Sequence, residues 1–229
     1  MIRHIFLDLD DTIFDFKKAE RIALSRTLHG EGIEPTELML DRYSEINLSQ
    51  WKLLELGKLT REEVLVRRYE ILFQELGMSC DAKKISEIYE DFLGEGHYFI
   101  PGAEDMLEDL SKSYHLYLAS NGAVKVQRSR IESAGIEKYF ENIFLSEQIG
   151  YEKPDIRFFE KCFAQIPGFK REEALILGDS LTSDIRGGKN AGILTVWFNP
   201  HRKQIEEGIV PDYEIGQLEE LQTILSFDS

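Results

Sequence analysis

The chain has 229 residues, 42% of them apolar, which is enough for a packed core and argues against disorder. Its 27 Lys and Arg against 42 Asp and Glu leave a net charge of −15, so a nucleic-acid polymer would be repelled over most of the surface. Any site for a small phosphate ester must then be a local positive spot, made by a metal ion and one or two lysines.

The N-terminus carries acids where a signal peptide needs an apolar centre, and no run approaches the roughly 20 apolar residues of a membrane span. A cytoplasmic protein with no membrane partner is expected. Ile5-Phe6-Leu7 reads as a buried strand that ends at the acidic cluster Asp8-Leu9-Asp10-Asp11-Thr12. Residues 16–98 are charged and helix-periodic; Val64, Leu65 and Leu72, for example, share one face. This stretch predicts an all-helical insertion, and Pro101-Gly102 marks the return to the main domain. Beyond it, apolar runs at 116–119, 143–145, 174–177 and 193–197 alternate with helix-like stretches at 103–110, 124–134, 156–163 and 185–191. Short apolar runs suit strands of a parallel sheet covered on both faces. The alternation predicts right-handed crossovers and a doubly wound α/β core formed by residues 1–15 and 99–229. Cys80 and Cys162 lie far apart, form no C-x-x-C pair and read as small core residues.

Four strand ends carry chemistry. Asp8 and Asp10, two apart in extended backbone, face one way, and ligands of open α/β sheets lie beyond the carboxyl ends of the strands. Taken alone, this is equally an acidic turn capping a helix. Ser120-Asn121-Gly122 offers a hydroxyl, an amide and a flexible backbone to phosphate oxygens at a helix start, although an ordinary cap explains it as well. Lys153-Pro154 supplies a compact ammonium, and a lone lysine is usually just solvated. Gly178-Asp179-Ser180-Leu181-Thr182-Ser183-Asp184 adds two acids, and with Asp8 these make an oxygen-only set suited to Mg²⁺. The signal is joint, because each group falls at the end of a different strand. Gly187-Gly188-Lys189 fails as a P-loop: Ser183 stands where Gly is needed and Asn190 where Ser or Thr is needed.

The motif order Asp8-x-Asp10-x-Thr12, Ser120, Lys153-Pro154 and Gly178-Asp179 with Asp184 resembles the haloacid dehalogenase (HAD) superfamily in its phosphatase form, over nearly the whole chain. The resemblance implies a Rossmann-like core with residues 16–98 as a small helical cap. It implies Mg²⁺ held by Asp8, Asp179 and the main-chain carbonyl of Asp10, with Asp184 orienting metal-bound water. On this reading Asp8 attacks phosphorus to give an aspartyl-phosphate. Asp10 protonates the leaving oxygen and later takes a proton from water. Ser120, Asn121 and Lys153 position the phosphoryl group. The segments Ser120-Asn121-Gly122, Gly150-Tyr151-Glu152-Lys153-Pro154 and Val196-Trp197-Phe198-Asn199 are similar to a bacterial branch of 5'-nucleotidases, so nucleoside 5'-monophosphates are the expected substrates. Phe14, Phe16 and Trp51 are the expected stacking partners for the base, worth about 1–3 kcal/mol. The alternatives are a phosphatase of another small metabolite (phosphoglycolate or a sugar phosphate) and a sugar-phosphate mutase. A dehalogenase needs neither an acid at position 10 nor a metal, and a catalytically silent binding protein would not need all four motifs. The sequence leaves monomer and homodimer both open.

Overall fold

In the computed structural model, which describes residues 1–205 and 208–227, the chain divides into two compact units. The first comprises Met1–Asp15, Phe99–Val124 and Ala134–Ser229, and the second comprises Phe16–Tyr98 with Lys125–Ser133.

The first unit is built on a parallel sheet of β1 (His4–Leu7), β2 (His115–Ser120), β3 (Asn142–Leu145), β4 (Ala174–Gly178), β5 (Leu194–Phe198) and β6 (Tyr213–Ile215). The spatial order is β3-β2-β1-β4-β5-β6. All four residues of β1 are buried, because parallel partners flank it on both sides: Ile5 pairs with Leu116 and with Leu175. The chain steps from β1 outward to β2 and β3, then crosses to β4 on the other side of β1. That reversal opens a crevice at the carboxyl ends of β1 and β4, where such sheets bind ligands. Phe6, Tyr117, Phe144, Phe158, Phe159, Cys162 and Phe163 form an apolar cluster against the sheet. Burial raises the Cys162 thiol well above its ordinary pKa, so it behaves as a core residue.

The second unit is helical. It contains α1 (Phe16–Gly30), α2 (Glu37–Glu55), α3 (Arg61–Glu75) and α4 (Ala82–Gly94). Short polar residues start these helices where their first N–H groups need acceptors: Thr36 caps α2, Asp81 caps α4, and Thr60 with Glu63 forms a reciprocal capping box on α3. Their packed faces enclose a polar knot. Tyr43 and Tyr69 stack at 5.2 Å and share a 2.7 Å hydroxyl bond. Arg68 lies over the rings of Tyr69 and Tyr89 and donates to Asn47 Oδ1 at 3.0 Å.

The remaining helices are α5 (Ala103–Leu110), α6 (Val124–Ala134), α7 (Ser146–Ile149), α8 (Ile156–Phe163), α9 (Arg186–Ala191) and α10 (Glu220–Phe227). The second unit also takes in residues 125–133 of α6, which lie outside the 16–98 stretch. Their ties explain why: Lys125 pairs with Asp91, Ser129 Oγ donates to the Gly94 carbonyl at 2.9 Å, and Arg130 Nε to the Gly96 carbonyl at 2.6 Å. No helix among the described residues is long and apolar enough to cross a membrane.

Candidate active site

Asp8 continues β1 by one residue, its N–H donating to the Leu177 carbonyl of β4 at 3.0 Å, which leaves its carboxylate over the crevice. The chain then folds back sharply. Asp11 takes a left-handed backbone (φ 55°), which Asp tolerates better than most residues, and its N–H bonds the Phe14 carbonyl at 2.7 Å. Half-buried Asp10 lies inside this turn, and the Thr12 hydroxyl is fully buried with no hydrogen-bond partner.

On the β4 side, Asp184 is placed by a wide turn over Leu181–Ile185, in which the N–H groups of Asp184 and Ile185 both bond the Ser180 carbonyl. Such π-turns are rare and concentrate at functional sites. The Ser180 N–H donates to Asp184 Oδ2 at 3.1 Å, folding the carboxylate back over Gly178. A Cβ at Gly178 would lie 2.3 Å from that carboxyl group, so only glycine fits. Asp179 is fixed through its carbonyl, which accepts the Trp197 indole N–H at 2.9 Å from the adjacent strand.

One oxygen each from Asp8, Asp179 and Asp184 lies within 4.8 Å of the others. Lys153 reaches between two of them. Its Nζ donates to Asp8 Oδ1 at 2.7 Å, to Asp184 Oδ1 at 2.5 Å and to the Ala119 carbonyl at 2.6 Å, at 1% side-chain exposure. Burial alone would lower the Lys153 pKa, but Asp184 and Asp8 outweigh it and hold the ammonium charged. Burial pushes the Asp8 carboxyl up to about 8, against the pull of Lys153 and with further push from Asp184 and Asp10. Asp179 is raised well above the usual carboxylate range, first by burial and then by Asp11, Asp184 and Asp8. Three crowded carboxylates have one buried ammonium among them, so the site holds negative charge that a bound cation would relieve. All donors are oxygens, the set that hard divalent cations prefer.

The structure therefore brings Asp8, Lys153, Asp179 and Asp184 together, with Ser120 close by at the end of β2. The Ser120 Oγ is buried and accepts the Gly122 N–H at 3.1 Å. Asn121 is tied to the Lys153 segment. Its Nδ2 donates to the Lys153 carbonyl at 2.9 Å and to Ser183 Oγ at 3.3 Å, and its Oδ1 accepts the Lys153 N–H at 2.9 Å. The side chain expected to hold phosphate also holds the backbone of the site lysine. Phe14 is a correction: it is fully buried, packed edge-on against Phe99 at 5.1 Å, and is core. Phe16 is half-buried at the start of α1. Half-buried Trp51 lies in α2, its indole donating to Asn47 at 3.0 Å and its ring lying 5.5 Å from the Arg61 guanidinium. Ser183 and Trp197 steady the site through contacts to Asn121 and to the Asp179 carbonyl, which exist only once the strands are assembled.

A doubly wound sheet with a carboxylate at its switch point, a second acid two residues on and a buried lysine beside it defines a hydrolase core of one recognisable class. The family model for haloacid dehalogenase-like hydrolases matches residues 5–198, and the chain belongs to that family. It is 40% identical to the HAD-hydrolase YfnB of Bacillus subtilis (strain 168) over 227 residues, covering 99% of this chain and 97% of that protein. A crystal structure of YfnB bound to magnesium superposes with a TM-score of 0.94 at 41% identity, covering 98% of each chain. The pyrimidine 5'-nucleotidase PynA of Streptococcus pneumoniae (strain ATCC BAA-255 / R6) is 38% identical over 220 residues, 96% of this chain and 93% of that one. The pyrimidine 5'-nucleotidase YjjG of Escherichia coli (strain K12) is 29% identical over 221 residues, 96% of each.

Proposed function

We propose that the chain is a cytoplasmic, Mg²⁺-dependent phosphomonoester hydrolase that works through an aspartyl-phosphate on Asp8, with nucleoside 5'-monophosphates, pyrimidine ones foremost, as substrates. The observation that carries this reading is the Lys153 ammonium bonded to both Asp8 and Asp184, beside the three-carboxylate cluster. Mg²⁺ held by Asp8, Asp179 and the Asp10 main-chain carbonyl would offset the charge of the phosphoryl oxygens and keep Asp8 ionised at neutral pH.

The protein's own groups supply the rest. An Asp8 oxygen attacks phosphorus in line, the bond to the ester oxygen breaks, and the Asp10 carboxylic acid gives that oxygen a proton. A water molecule then attacks the phosphorus of the acyl-phosphate, giving its proton to Asp10 and releasing inorganic phosphate and the Asp8 carboxylate. Lys153 holds the Asp8 carboxylate in one orientation throughout, and Ser120 faces the transferred group. Little covalent work remains, so rate depends on positioning and charge. The nucleotide preference rests on likeness to PynA and YjjG, and Trp51 and Phe16 are the aromatic surfaces proposed for the base.

The test is phosphate release from UMP, dTMP, AMP, a hexose phosphate and phosphoglycolate, with Mg²⁺ and again with excess chelator. The pyrimidine nucleotides should give the highest kcat/KM, about five- to a hundredfold above the sugar phosphate, and activity should vanish with chelator. A sugar phosphate or phosphoglycolate winning by about tenfold would remove the nucleotidase reading, and full activity in chelator would remove the metal.

A further inference from the structure

An acid-rich site that takes a phosphate dianion needs ammonium donors with hydrogen bonds to give. Lys153 has none left: its three N–H groups already serve Asp8, Asp184 and the Ala119 carbonyl. A second lysine stands at the same site. Lys203 Nζ lies 3.8 Å from Asp179 Oδ2, within ion-pair reach but beyond hydrogen-bond distance, and its side chain is 52% exposed.

The way Lys203 is held sets it apart from an ordinary surface lysine. Asn199, buried at the end of β5, accepts the Lys203 N–H on Oδ1 at 2.8 Å and donates from Nδ2 to the Lys203 carbonyl at 2.9 Å. Asn121, at the end of β2, grips Lys153 in the same two-point manner. The Asn199 clamp is itself anchored. Its N–H bonds the Ile215 carbonyl of β6 at 2.8 Å, and its Nδ2 also reaches Glu214 at 2.7 Å. Arg202, just before Lys203, takes a left-handed backbone (φ 51°), which a non-glycine residue adopts only when its surroundings impose it. Asp179 is tied to the same strand through Trp197. An exposed pair at this distance adds little to stability, so stability alone does not explain the buried clamp.

We propose that Lys203 is a substrate-binding residue, its ammonium meeting the anionic phosphate of the incoming ester, and that Asn199 is its positioning residue. The inference deepens the phosphatase reading and rests on it. Its flexible, exposed head group keeps all three donors for an anion, whereas the buried Lys153 serves the enzyme's own carboxylates.

The variants Lys203→Met and Lys203→Arg test it, because an exposed side chain can change without loss of the fold. For Lys203→Met, KM for UMP and the inhibition constant of inorganic phosphate should rise together by about tenfold, with kcat within about twofold. Lys203→Arg should recover most of both, and high salt should shrink the gap. Calorimetric titration of inorganic phosphate in the presence of Mg²⁺ reads the same loss without turnover. Equal phosphate affinity in wild type and Lys203→Met would overturn the proposal, as would a change confined to the Mg²⁺ activation constant. Failure of the phosphatase reading looks different: the wild-type enzyme would release phosphate from no ester.

Discussion

Gly178 shows how little slack the site has at the scale of single residues. The Asp184 carboxyl occupies the space a side chain at 178 would need. Gly178→Ala must push that carboxylate away from Lys153 and the Ser180 N–H. It should lower stability by about 1–3 kcal/mol and kcat by at least about tenfold. Wild-type denaturation midpoint and turnover in this variant would contradict the packing described. The sequence showed Gly178 beside an acid but not the reason, since the contact depends on a turn that the 3.6-residue period does not reveal. The bonds of Asn121 to the Lys153 backbone are invisible in the sequence for a related cause. A polar amide at a strand end has the same appearance whether it faces ligand or a neighbouring loop, and only the fold brings the Lys153 backbone to it. Phe14, three residues past Asp11, looks available in the sequence until the turn over Asp11 folds it against Phe99.

At the scale of elements, the five strands marked by apolar runs were legible because buried parallel strands leave continuous apolar sequence. β6 was not: of its three residues, Tyr213 and Glu214 are exposed, and only Ile215 is buried. What secures this edge is a side chain outside any strand. Asp212 Oδ2 accepts the N–H and Oγ1–H of Thr195 on β5, both at 2.8 Å, and its Oδ1 pairs with Lys189 of α9. Burial alone would raise its pKa, but the bonds from Lys189 and Thr195 outweigh burial and hold it below the usual value. A carboxyl whose pKa falls on folding adds stability that is present above the unfolded value near ~3.9 and lost as pH drops through the lower folded value. Asp212→Asn keeps an acceptor for Thr195 and loses the ion pair. Both partners are partly exposed, so the expected cost at pH 7 is about 0.2–1 kcal/mol. The wild-type advantage, measured by chemical denaturation, should shrink between about pH 4 and pH 2. An advantage that is the same at neutral and acid pH would refute the role given to Asp212.

For the molecule as a whole, one polypeptide with a net charge of −15 gathers still more negative charge at its switch point and offsets it locally. Lys153 serves the enzyme's own carboxylates, and a divalent cation and Lys203 are proposed to serve the substrate. The motifs announced this arrangement in order along the chain, because Asp8, Ser120 and Asp179 stand at the ends of β1, β2 and β4, with Lys153 beyond α7 and Asp184 on the turn after β4, and the sheet, rather than local sequence, sets the distances between them. What the motifs could not announce was which groups hold substrate and which hold one another. The central claim is that the phosphoryl group passes through Asp8. Rapid acid quench of the enzyme turning over a radiolabelled nucleoside monophosphate with Mg²⁺ tests it most directly. The account predicts label on the protein that chases into inorganic phosphate. It also predicts no protein label, and turnover reduced by at least about a thousandfold, in Asp8→Asn. Full turnover with no protein-bound label, or retained labelling in Asp8→Asn, would contradict it.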